Sequence, residues 1–195
     1  MRVSYAGELG WELHMPVWQL ISIYESLMQF GQPLGLRDFG TRAFNSMRME
    51  KMYRAYGAEF TEEISALEAG MNRFLDLSRH FVGSENLLQR QTAGLSMQLA
   101  YLVFDDQIPA ECFGNEAVFA NGDHSGIITG GAYGYRVEKS LAFAYLKPQH
   151  CKAGQALTVE TSVGTRRCHV ELDPAYNPNN SLLHLSLIHT SRFPS

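Results

Sequence analysis

Cysteine is scarce in this 195-residue chain. Cys112, Cys151 and Cys168 are odd in number and show no CxxC or CxxH spacing, which argues against a disulfide framework or a structural zinc site. A reducing compartment is the default expectation, the cytoplasm or the mitochondrial matrix. Basic charge is also thin: 16 Lys and Arg stand against 20 Asp and Glu, for a formal net charge of -4. No Lys/Arg-rich run alternates with aromatics as a phosphate-tracking surface requires, so nucleic acid is not an expected partner. Long apolar runs are missing too. The most apolar stretch, residues 17–30, is interrupted by Gln19, Ser22, Glu25 and Gln29, too short and too polar to cross a bilayer. The first residues lack a basic segment followed by an apolar one, the mark of a secretory leader. GxGxxG does not occur, and neither GELG nor GGAYG has the spacing of a dinucleotide fingerprint. The seven histidines are scattered, with His184 and His189 the closest distal pair, and read as structural or solvated rather than as metal ligands.

The most informative stretch is residues 2–16, RVSYAGELGWELHMP. A glycine-rich turn is bracketed there by strand-like flanks. Gly7 and Gly10 let the backbone bend or come close to a ligand, while Val3, Tyr5, Trp11 and Leu13 supply apolar walls and Glu8 and Glu12 supply acceptors. A carboxylate at Glu12 suits a small planar ligand offering two adjacent N–H donors. The competing interpretation is a tight hairpin with two solvated glutamates.

Two regions of different periodicity follow. Apolar residues at Val17, Leu20, Ile21, Tyr24, Leu27 and Met28 form the stripe of an amphipathic helix that Gly31 and Pro33 stop. Asp38 could cap a second helix with a buried stripe of Ala43, Phe44 and Met47, running to about Tyr53. Ser65 and Glu68 have capping-box spacing. Residues 85–91 make a short helical stretch. Six short apolar or alternating runs then read as strands, at 95–104, 116–120, 126–129, 141–146, 156–161 and 167–172, separated by turn-forming residues. Asn121-Gly122 and Gly164-Thr165 look like hairpin tips. The expected fold class is α+β, ending in a compact β barrel. Residues 3–5 and 11–15 look like strands of a hairpin with a bare edge, which folded proteins usually avoid, so a preceding segment is expected.

Four segments come in an order that resembles a known family: RVSYAGELGWELHMP, then SMRMEKMYRAYGAEF, then ALEAGMNRF, then YGYRVEKSLAFAYL. They are similar to the folate-binding, aminomethyltransferase-like region of dimethylglycine dehydrogenase, dimethylglycine oxidase and sarcosine dehydrogenase, which is related to the glycine-cleavage T-protein. The resemblance implies three parts. Residues 1–92 would be the later portion of a folate-binding domain, 93–183 a T-protein-type barrel, and 184–195 a disordered or foreign tail. It also implies one-carbon capture. A flavin domain upstream oxidises an N-methyl amine, and tetrahydrofolate takes the one-carbon unit to give 5,10-methylenetetrahydrofolate. FAD and the catalytic aspartate would both lie upstream, in domains that this chain contacts, so the chain alone is expected to be inactive.

Binding residues carry over one at a time. Tyr5 falls where the relatives place a tyrosine against the folate, and Glu12 where a glutamate accepts hydrogen bonds from the amino-pyrimidine edge. Leu13 and His14 occupy the next two contact positions. Arg73 stands where the relatives have an aromatic residue after the EAG turn, and a guanidinium can stack on a flat ring or pair with the carboxylates of folate. Phe44 replaces an arginine of the T-protein, which fits the amine dehydrogenase branch. Arg48, Lys51 and Arg54 recur every three residues, as a cationic strip for a glutamate tail or as a solvated face paired with Glu50 and Glu59. Tyr133, Gly134 and Tyr135 suggest aromatic packing at a domain seam. Two other classes stay open. One is a non-catalytic relative like the regulatory subunit of pyruvate dehydrogenase phosphatase, and the other a stand-alone aminomethyltransferase.

Overall fold

The computed structural model describes residues 1–181. Helices come first: α1 (Leu20–Gly31), α2 (Thr41–Glu50) and α3 (Ser84–Ala93). Six strands follow: β1 (Gln98–Phe104), β2 (Ala117–Ala120), β3 (Asp123–Gly134), β4 (Lys139–Leu146), β5 (Ala156–Thr161) and β6 (Gly164–Glu171). They close into a barrel in the order β1-β4-β3-β2-β5-β6, with every neighbouring pair antiparallel. Closure leaves the barrel without a free edge. The expected class, α+β with a terminal barrel, is the observed one.

Pleating gives the barrel strands two buried faces. Ala100, Leu102 and Phe104 of β1 and Ala142, Ala144 and Leu146 of β4 join Val118, Ile128, Leu157, Val159 and Val170 in one core cluster. The alternate residues, Leu99, Tyr101, Val103, Leu141, Phe143 and Tyr145, form a second core with Met49 of α2. The period of 2 along a strand therefore separates a barrel interior from a seam with the N-terminal segment. That seam explains why KSLAFAYL is apolar at consecutive positions: neither face of β4 meets water. Two tyrosine hydroxyls clamp the seam, Tyr101 donating to the Met49 carbonyl at 2.8 Å and Tyr145 to the Glu59 carbonyl at 2.6 Å.

Several expectations need correction. β3 runs through Gly134 instead of stopping at residue 129, because Gly130-Gly131 is strand and not turn. A side chain at Gly131 would strike the Leu141 carbonyl and Cys112, so glycine there permits a close strand approach. β1 begins at Gln98 rather than residue 95. The β5–β6 hairpin turns at Ser162-Val163, with Gly164 already paired to Thr161. At the other hairpin Asn121 and Gly122 both have positive φ, 54° and 87°, and connect β2 directly to β3 in two residues, as an Asn-Gly turn does. α2 is preceded by Gly40, not capped by Asp38, whose carboxylate instead accepts the Tyr24 hydroxyl at 2.8 Å. It ends at Glu50, short of Tyr53. Its buried residues are Ser46, Arg48, Met49 and Glu50, while Ala43 is exposed. The N-terminal hairpin is reduced to a single bridge, Arg2 to Trp11. The capping box at Ser65 and Glu68 forms reciprocally, but around one turn rather than a helix. Residues 182–195, and so the expected tail with His184 and His189, lie outside the described residues.

Candidate functional site

The 2–16 motif folds as a narrow loop, held by Val3 N–H to the Gly10 carbonyl at 3.1 Å and Glu12 N–H to the Met1 carbonyl at 2.7 Å. Gly7, at φ 79°, lies against the Lys51 side chain, which a Cβ would overlap. The loop borders two clefts.

Tyr5 enters the smaller cleft, of about 320 Å³. Its ring stacks on Tyr53 at 6.0 Å between centroids and tilts against Phe44 at 5.3 Å, and its hydroxyl donates to the Arg54 carbonyl at 2.9 Å. Burial, opposed by the nearby Arg48 charge, raises its pKa, so the phenol stays a donor. Phe60, Met71, Arg73 and Phe74 complete the wall with Val3, Ser4 and Arg54. The Arg73 guanidinium lies over the Phe74 ring at 4.5 Å. The lining has four aromatic rings and two guanidiniums, and no carboxylate. A flat, anionic molecule matches that wall.

Of the sequence-predicted residues, the fold brings Tyr5 and Arg73 together. Glu12, Leu13 and His14 sit elsewhere, exposed on the outgoing arm of the loop, with His14 Nε2 3.3 Å from the Glu12 carboxylate. The larger cleft, of about 1010 Å³, lies against α2 and the β3–β4 turn, with Glu8, Glu50, Tyr135, Arg136 and Tyr176 in its wall. Tyr135 packs edge-on to Tyr133 at 5.1 Å, and the Tyr133 backbone carbonyl accepts the Ser46 hydroxyl at 2.6 Å, but the Tyr135 ring is 73% exposed in the cleft wall and not packed in the seam.

Sequence reasoning missed the buried frame behind the smaller cleft. Glu59, 0% exposed, accepts from Arg48 Nη1 at 2.9 Å, Ala55 N–H at 2.7 Å and the Thr129 hydroxyl at 3.2 Å. Arg48 also donates to Asn45 Oδ1 and to the Tyr53 carbonyl. The supposed cationic strip is thereby dismantled: Arg48 is a buried ion pair. Lys51 is buried too, donating to the Asn177 carbonyl and Asn180 Oδ1, with desolvation lowering its pKa. Arg54 alone of the three faces the cleft. The i, i+3 spacing was visible in the sequence, but not which cation Glu59 would claim. Among the described residues no group of three or more His, Cys, Asp and Glu is placed to hold a metal, and no helix is long and apolar enough to cross a membrane.

A helical segment docked on the outer face of a closed antiparallel barrel, with a ring-lined cleft beside the seam, defines a two-part module. Two family models match it in that order. Residues 1–79 match the GCVT N-terminal domain, and residues 98–177 the glycine cleavage T-protein C-terminal barrel domain. The chain belongs to the glycine cleavage T-protein family. It is 42% identical over 163 residues to mitochondrial dimethylglycine dehydrogenase of Mus musculus, covering 82% of this chain and 18% of that protein. It is 36% identical over 148 residues to mitochondrial sarcosine dehydrogenase of Homo sapiens, covering 75% of this chain and 16% of that protein. The chain thus spans less than a fifth of either dehydrogenase. The glycine cleavage system aminomethyltransferase T of Bartonella henselae superposes with a TM-score of 0.79 at 20% identity, over 89% of this chain and 48% of that one, and so shares its fold.

Proposed function

We propose that this chain is the tetrahydrofolate-binding portion of a flavin-linked N-methyl amine dehydrogenase acting on dimethylglycine or sarcosine, where the released one-carbon unit is captured as 5,10-methylenetetrahydrofolate. The observation that carries this is the cleft at Tyr5. Its aromatic walls and two guanidiniums fit a ligand made of flat rings and carboxylates. The domain division follows the same reading: residues 1–92 hold the folate and 93–183 form the supporting barrel.

Each residue then has a task. Tyr5 packs a ring of the ligand while its hydroxyl fixes the Arg54 backbone. Glu12, exposed on the loop arm outside the Tyr5 cleft, takes two N–H groups of a pterin that extends beyond the cleft mouth, in place of its contact with His14, with Leu13 and His14 flanking it. Each hydrogen bond to that charged group contributes roughly 1.5 to 3 kcal/mol. Tetrahydrofolate, once bound, supplies the nitrogens that take up the one-carbon unit. The cleft lining offers no carboxylate to assist that step, so the acid and the FAD are assigned to other parts of the parent protein, which this chain contacts. Both dehydrogenase relatives are mitochondrial, and the mitochondrial matrix is the proposed location.

Calorimetric titration of tetrahydrofolate into the chain and its Glu12→Gln variant tests the proposal. The expected result is saturable binding that the variant weakens about tenfold or more, as the loss of a charged hydrogen-bond pair requires. Absence of heat at millimolar ligand with folded protein would sink it and favour a non-catalytic, regulatory role.

A further inference from the structure

Most buried cations of this molecule are satisfied. Arg48 has Glu59, Asn45 and the Tyr53 carbonyl. Arg166 has Asp106, the Ser140 hydroxyl and the carbonyls of Ile108 and Ala110. Lys51 has Asn177 and Asn180. Arg54 is the exception. Its Nε is fully buried and has no hydrogen-bond partner, and none of its side-chain nitrogens donates to a described residue. Leaving that one buried donor unmade is costly, and an incoming acceptor would complete it.

The surroundings name that acceptor. The Arg54 guanidinium is held 6.0 Å over the Phe143 ring, and its backbone is pinned by the Tyr5 hydroxyl. Arg73 lies close enough for its charge, after burial, to push the Arg54 pKa below the ordinary arginine value. Two like charges share the wall of this small cleft, in which no described residue is an acid; Asp173 lines only the neighbouring cleft that both arginines also border, and makes no hydrogen bond or ion pair with either. Glu59 acts on Arg54 from behind, but its oxygens are occupied by Arg48, Ala55 and Thr129.

We propose that Arg54 and Arg73 form a two-guanidinium subsite for a carboxylate on an aromatic ligand, Arg54 as its fixed, half-buried base and Arg73 as its exposed outer arm. Fork geometry suits this task, because a guanidinium meets a carboxylate with two parallel N–H groups. If tetrahydrofolate is the ligand, an identity that rests on the function proposed above, the subsite takes the glutamyl tail.

The test uses three probes on the full chain and on Arg54→Gln and Arg73→Gln. 4-Aminobenzoyl glutamate carries a ring and two carboxylates without the pterin. A tetrahydropterin lacks the tail, and tetrahydrofolate carries both. The expected result is that Arg54→Gln weakens 4-aminobenzoyl glutamate and tetrahydrofolate about tenfold or more while leaving the tetrahydropterin within twofold. Arg73→Gln, at an exposed position that folding tolerates, should weaken the same two probes in the same pattern. Unchanged affinity for 4-aminobenzoyl glutamate, or equal loss for all three probes, overturns the subsite. Arg54-dependent binding of the tail probe without any pterin binding keeps the subsite and rejects folate as its ligand. Pterin binding without tail binding rejects the subsite and keeps the folate assignment. Failure of every probe overturns both.

Discussion

Replacing Arg48 with methionine removes the counter-charge of Glu59 while keeping a side chain that can pack beside Met49. Glu59 would then be a fully buried carboxylate with two donors left, the Ala55 N–H and the Thr129 hydroxyl. Asn45 Oδ1 and the Tyr53 carbonyl would lose their donors as well. Removing one partner of a buried pair costs about 3 to 5 kcal/mol, most of it the penalty of the stranded charge. For a chain of this size each kcal/mol lowers the melting midpoint by about 2 to 4 °C, so the expected fall is roughly 6 to 20 °C. The double variant Arg48→Met with Glu59→Leu removes the stranded charge and should recover part of that loss. Denaturant and thermal unfolding of the four proteins of this cycle measure the coupling. A loss under about 1 kcal/mol for Arg48→Met, or a double variant that costs the sum of the two singles, would refute the assignment of this pair as the frame of the cleft.

Tyr5→Phe keeps the ring between Phe44 and Tyr53 but strips the Arg54 carbonyl of its donor, and should cost about 0.5 to 1.5 kcal/mol in denaturant unfolding. Burial pushes the Cys112 and Cys168 thiols up to about 12 and Cys151 up to about 11, so all three should resist a thiolate-selective disulfide reagent at pH 8 until the chain is unfolded. The same shifts give alkaline instability. The native state holds these protons more tightly than the unfolded chain, so stability is intact below about pH 9 and falls as pH rises from 9 toward 12, seen as a dropping thermal midpoint. Gly7→Ala would press a methyl group into Lys51 at a backbone φ of 79°, and should destabilise by about 1 to 3 kcal/mol.

The barrel was largely legible because its strands are short, apolar and bounded by turn residues. The glycine pair at 130–131 misled, since glycine serves both a turn and a close strand approach, and only the neighbour across the sheet decides between them. α2 misled for a different reason. Polar residues normally mark the solvent face, yet Ser46, Arg48 and Glu50 are buried because partners distant in sequence satisfy them: the Tyr133 carbonyl, Glu59, and the Arg136 N–H. For the candidate site, the family resemblance pointed to Tyr5 and Arg73, which the fold places in one cleft. The direction of a side chain leaves no such trace, so the separation of Glu12 from the cleft, and the fact that Arg54 alone of three evenly spaced cations lines it, emerged only in three dimensions.

The two tyrosine hydroxyls that cross the seam make the stability of one half depend on the other. All six strands hydrogen-bond to one another, so the barrel can close on its own ladder. The N-terminal segment, by contrast, depends on the outer wall of that barrel, where Tyr101 and Tyr145 reach the carbonyls of Met49 and Glu59. The cleft-bearing half is therefore the dependent partner, and the barrel its support. In native-state hydrogen exchange the cleft-bearing half should open at lower free energy than the strands, as a separate cooperative unit.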